Sequence, residues 1–182
     1  MQTRSIKYTA HDVRDQVSNA EFQIIEAQSD GGMHHAVAVA RSWTSLDVPV
    51  DPNAQAPSLS SLHIEDLSLG PNSGVVVCGH IPRQRQPDAR SAVEDLAKRE
   101  GFTVYRWNDE DDAIGGARAM AHTDTHTMSL RVLPYDDVWA FVSAVVPSDR
   151  LATTGGALHA ALVTFKLFPS WAAEPLHPPK AN

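Results

Sequence analysis

The chain has 182 residues, is 42 % hydrophobic and 20 % charged, and carries a net charge of −7 with one cysteine. That length suits one domain with a real hydrophobic core. The acidic balance argues against a nucleic-acid partner, since phosphate contacts need a clustered basic surface, and a lone Cys78 excludes an intramolecular disulfide or a four-cysteine metal site.

The first residues, MQTRSIKYTA, hold no apolar core of a signal peptide, and no apolar run reaches membrane-spanning length. The expectation is a soluble, cytoplasmic protein with no membrane partner. The densest basic patch, Arg83, Arg85 and Arg90, reads as a solvated loop. Nine histidines are the one compositional feature with a chemical meaning.

In chain order, Thr9 to Val17 predicts a short helical turn with Thr9 as cap. Glu21 to Trp43 predicts two strands around the turn Ser29-Asp30-Gly31-Gly32. The second arm sets His35, Val37 and Val39 on one face and His34 with alanines on the other, so another layer should approach closely. Thr44 to Ser61 holds Pro49, Pro52 and Pro57 without periodicity and reads as a long loop, a lid or a plain excursion. Leu62 to Leu69 and Val75 to Ile81 predict a second hairpin, with Val75-Val76-Val77-Cys78 as an interior strand.

Asp88 to Glu100 predicts a helix capped by Asp88 and ended by Gly101, with Ala89, Ala92, Val93, Leu96 and Ala97 inward. Phe102 to Trp107 follows as a strand, which makes a strand-helix-strand crossover. Asp109 to Asp112 reads as a solvated acidic turn, and Gly115-Gly116 as a tight connection able to offer N–H groups to an anion. After Pro134, the stripe Val138, Trp139, Val142 and Val145 predicts a helix capped by Asp136 or Asp137 and stopped at Pro147. A last helix starts at Thr153 or Thr154, with Leu158, Ala161, Leu162 and Phe165 inward. The expected fold is one α+β domain over residues 1–169. It has a mixed or mainly antiparallel sheet, two hairpins, one crossover and C-terminal helices. Residues 170–182 read as an extended or disordered tail.

The concentrated chemistry lies in Ala121 to Pro134. Read as one strand, its even positions His122, Asp124, His126, Met128, Leu130 and Val132 share a face, opposite a hydroxyl-rich face. Two imidazoles and a carboxylate on a buried face need a partner. His122, Asp124 and His126 are therefore candidate ligands for a divalent metal such as zinc, iron or manganese. The alternative is that Asp124 merely orients one histidine at a sheet edge. Cys78 and His80, two apart at the end of an apolar strand, are candidate catalytic residues, or else core residues. No nucleotide-binding motif is present, so no nucleotide cofactor is expected. Two functions follow. The first is a small metal-dependent enzyme acting on a small organic substrate, and the second is a non-catalytic, acidic binding or accessory protein that engages a protein partner.

Overall fold

The computed structural model describes residues 22–28, 33–40, 44–46, 60–65 and 74–169. The turn at Thr9 to Val17, most of the proline-bearing loop and the tail from Ser170 lie outside the described residues. The helix read from Asp88 onward forms as Ala89–Arg99 (α1). The Asp88 carboxylate accepts the Ser91 backbone N–H at 2.8 Å, which satisfies one free donor of the first turn and holds that carboxyl below its usual range. Gly101, at φ 78°, takes the left-handed position past the last turn. Ala89, Ala92, Val93, Leu96 and Ala97 are buried, the inner stripe that the spacing predicts.

Phe22–Gln28 (β1) and Met33–Ala40 (β2) form the first hairpin. Thr44–Leu46 (β3) pairs with Ser60–Glu65 (β4), and β4 with Val75–Pro82 (β5), the second hairpin. Thr103–Asn108 (β6), Ala117–His122 (β7), His126–Tyr135 (β8) and Val138–Pro147 (β9) follow, then helix Leu151–Thr164 (α2) and Lys166–Pro169 (β10). They make a three-stranded sheet in the order β1-β2-β10 and a seven-stranded sheet in the order β3-β4-β5-β9-β8-β7-β6. All recorded neighbours are antiparallel. β5 and β6 consequently run the same way with β9, β8 and β7 between them, and α1 is the crossover that joins them. The fold is α+β, with the two hairpins and the crossover expected from sequence.

One element changes type. Residues 138–147 form a strand, not a helix, and β9 is hydrogen-bonded to both β5 and β8 at the centre of the large sheet. A strand covered on both faces loses its alternation and reads as a continuous apolar run, which helical spacing also fits. Asp136 and Asp137 are the two-residue turn that joins β8 to β9. Asp136 takes φ 45°, which aspartate tolerates better than most residues.

The large sheet carries a core on each face. On one, α1 packs Ala92, Val93 and Leu96 against Ala117, Ala119, Ala121, Met128, Leu130 and Val132. On the other, Val76, Cys78, Val142, Ala144 and Leu133 meet Val37 and Val39 of β2 and Ala161, Leu162 and Phe165 of the α2 end. On β2 that contact is made by the valine face, while Ala36 and Ala38 are also buried and the Ala38 N–H donates to Thr164 Oγ1 at 2.9 Å.

In the acidic run Asp109, Glu110 and Asp112 are exposed, as a solvated turn requires, and Asp111 is buried. Asp109–Ile114 forms a 3-10 helix, and each of its four acids meets an arginine. Arg90 reaches Asp109 and Asp112, both at 3.0 Å, and Arg118 reaches Glu110 at 2.9 Å. Arg131 grips Asp111 through two bonds, Nε to Oδ2 at 2.7 Å and Nη2 to Oδ1 at 2.6 Å. Arg118 and Arg131 stand directly opposite each other on β7 and β8. Facing like charges destabilise a strand pair, and the paired acids cancel that repulsion. The Gly115 and Gly116 N–H groups are not offered to an anion. They donate to the carbonyls of Asp112 and Asp111, both at 3.0 Å. A side chain at Gly116 would place Cβ 2.8 Å from the Val132 carbonyl oxygen, so glycine lets this segment lie against β8.

Truncation of Leu96 to alanine is expected to cost about 2–5 kcal/mol, the range for a buried aliphatic side chain. It should appear as a lower urea midpoint at unchanged slope. An unchanged midpoint would contradict the packing of α1 on β7 and β8.

Candidate functional site

The stretch Ala121 to Pro134 is a hairpin and not one strand. β7 ends at His122, the chain turns through Thr123, Asp124 and Thr125, and β8 begins at His126. Thr123 builds the turn: its Oγ1 accepts the N–H of Thr125 at 3.3 Å and of His126 at 3.0 Å, and its own N–H donates to the His126 carbonyl at 2.9 Å. Opposed residues of an antiparallel pair share a face. His122 is opposite Thr127, so it shares the Thr127 face, while His126 lies on the α1 face with Met128 and Leu130. Asp124 is exposed at the turn tip.

His122, Asp124 and His126 thus diverge, and the metal site expected of them does not form. Among the described residues no group of three or more His, Cys, Asp or Glu side chains is placed to hold a metal ion. The reading as a small-molecule, metal-dependent enzyme is corrected on that geometry. The shared face does hold from His126 onward, where His126, Met128 and Leu130 line one cleft.

Cys78 and His80 lie on the same face of β5, the face toward α2, as their spacing requires. Cys78 is fully buried, and burial pushes its thiol well above the ordinary thiol range. An activated nucleophile needs the opposite shift. Burial also lowers the His80 pKa below its ordinary value, partly offset by the Asp137 carboxylate. His159 on α2 faces Arg118, whose Nη2 donates to its Nδ1 at 3.0 Å.

Two surfaces of the large sheet stand out instead, one on each face. The first lies at the end of the sheet, on β6 and β7. β6 shifts register between Val104 and Arg106, which throws Tyr105 out of the regular alternation. Tyr105 is 52 % exposed. Its ring meets the His122 ring edge-on at 5.2 Å, and its hydroxyl donates to Met120 Sδ at 3.6 Å. Exposed Arg106 is the register partner of Met120. His122 therefore belongs to a surface patch of Tyr105, Arg106 and Met120. Sequence reasoning missed the patch because the bulge that exposes Tyr105 has no marker of its own in TVYRWN.

The second surface is a cleft of about 640 Å³ on the α1 face. α1 covers β6, β7 and β8 and ends beside β8, so the same face of β5 and β9 is left partly open. The floor has two cross-strand rows, Val75–Val145–Met128 and Val77–Ser143–Leu130. Leu96, Arg99, Glu100 and Phe102 form one wall, and Thr123 and His126 stand at one end.

No protein-family model matches the chain, and no curated protein is similar to it in sequence. Among solved structures, the fold is similar to the solution structure of cyanobacterial PsbP (CyanoP) from Synechocystis sp. PCC 6803. The TM-score is 0.55 at 12 % identity, over 84 % of this chain and 95 % of that one. The crystal structure of LpqN, involved in cell envelope biogenesis of Mycobacterium tuberculosis, gives a TM-score of 0.48 at 16 % identity, over 90 % of this chain and 99 % of that one. At such identity the PsbP likeness is one of fold.

A lowered His80 pKa has a definite sign in stability. Below about pH 6.5 the unfolded imidazole takes up a proton that the folded one resists. The His80 contribution should therefore weaken folding as pH falls from 7, and level off below the folded value. Replacement of His80 by Asn should flatten that part of the stability–pH curve. A curve of unchanged shape would contradict the burial of this ring.

Proposed function

We propose that the chain is a non-catalytic binding protein, an accessory module that docks on a protein partner through the β6–β7 patch. Tyr105 carries the reading. A half-exposed aromatic ring fixed by His122 and Met120 loses little freedom when a partner covers it. Tyrosine, methionine and arginine are the side chains over-represented where proteins meet, and tyrosine and arginine dominate the energetic centres of such contacts. β6 ends the sheet order, but its bulge at Tyr105 works against simple addition of a further strand. The contact is therefore one of side chains.

The reading also accounts for where the charged chemistry goes. Glu110, Asp111, Arg118 and Arg131 are engaged with one another, so the patch, with Tyr105, Met120 and Arg106, lies beside a neutralised cluster.

The test is a photo-crosslinking side chain placed at Tyr105 in the full chain and, as control, at exposed Glu94 on α1. One protein should be captured from position 105 and not from position 94. Its purified form should bind the Tyr105→Ala variant more weakly by about 2 kcal/mol or more, roughly 30-fold. The same adducts from both positions, or unchanged affinity of the variant, would contradict the proposal.

A further inference from the structure

The cleft on the α1 face lies across the sheet from Tyr105, and its chemistry is that of a ligand site. Its volume of about 640 Å³ falls within the range of small-molecule pockets, and its lining is mainly Val75, Val77, Phe102, Phe141 and Val145. Besides Thr123 and the charged Arg99 and Glu100, two polar side chains break the apolar lining. Ser143 stands in the middle of the floor, between Val77 and Leu130, and its hydroxyl has no hydrogen-bond partner among the described residues. A hydroxyl among aliphatic neighbours is unfavourable unless water or a ligand bonds it. At one end, His126 has Nδ1 engaged by Thr125 Oγ1 at 2.8 Å, so Nε2 is the ring atom open to a ligand. The charged side chains on the lining are Arg99 and Glu100, of opposite sign. The cleft therefore has no net charge for an ionic ligand to complement.

We propose that this cleft binds an uncharged amphiphile. Its apolar chain or ring body lies on Val75, Val77, Phe141 and Val145, a hydroxyl or carbonyl of the ligand bonds the Ser143 hydroxyl, and its polar head reaches His126. The inference goes beyond the protein-docking reading and uses the opposite face of the sheet, so either can fail alone.

The test titrates the full chain with 1-monodecanoylglycerol, a neutral ester-and-diol amphiphile, and with decanoate, its anionic counterpart. Both are kept below their micelle concentrations and followed by calorimetry and amide chemical shifts. The neutral probe should bind saturably, shift the Val75, Val77, Ser143 and Val145 amides, and bind at least about tenfold more tightly than decanoate, because the anion must lose hydration without a counter-charge. Ser143→Ala should weaken binding about three- to tenfold, the scale of one net hydrogen bond. Val145→Trp should abolish it by filling the floor, and Ser143→Leu serves the same purpose should the tryptophan variant fail to fold. Tyr105→Ala should leave binding unchanged. The proposal is overturned by no saturable binding of the neutral probe, by decanoate binding equally or better, by shifts confined to the β6–β7 patch, or by displacement of the probe by a protein captured at Tyr105.

Discussion

The bidentate pair between Asp111 and Arg131 is the constraint on which the arrangement of the large sheet depends. Arg131 is in the middle of β8, Asp111 in the 3-10 segment before β7, and the third side of the guanidinium donates to the Leu162 carbonyl in the last turn of α2 at 2.9 Å. One side chain therefore joins a strand, the segment leading to its neighbour, and the C-terminal end of a helix, where a cation also meets the favourable end of the peptide dipoles. Both partners are nearly out of solvent, with side chains 14 % and 6 % exposed. A buried pair of this kind adds little over a well-packed apolar pair, but loss of one partner strands the other charge. It acts as a lock on geometry more than as a source of stability.

That lock places the two surfaces. It holds the 3-10 segment against β8, which sets where β7 enters the sheet and so where the three-residue turn puts His122 and His126. The turn separates the two histidines to opposite faces: His122 supports Tyr105, and His126 closes one end of the cleft. The acidic residues of the 3-10 segment are counter-charges to Arg90, Arg118 and Arg131. The two surfaces beside the frame combine apolar or aromatic groups with Arg106 on one and with Ser143 and His126 on the other, which suits binding.

Much of the fold was legible because local and tertiary signals agreed. Asp88, the five inward residues and Gly101 defined α1 from cap to stop. β1, β2 and β5 carried turn residues and β-branched runs that fit only one reading. β9 was misread since burial on both faces removes the alternation that distinguishes a strand. The candidate site failed for a smaller reason. Thr123-Asp124-Thr125 consists of turn-forming residues, and the hairpin pairs His122 with Thr127 rather than His126, which inverts the parity on which the histidine row rested. The burial of Asp111 was missed because its partner Arg131 comes from β8, which no local pattern connects to the acidic run. Neither the Tyr105 bulge, a register shift within β6, nor the opening beside α1, set by how far that helix extends, had a sequence signature.

Whether the buried charges belong to the frame is tested by a double-mutant cycle on Asp111 and Arg131. Asp111→Ala and Arg131→Met would be made singly and together and unfolded in urea. If the pair is the lock described above, each single change costs about 3–5 kcal/mol by leaving a charge buried alone, and the double variant costs far less than the sum. Additive single effects below about 1 kcal/mol, the behaviour of a solvated surface pair, would contradict the account.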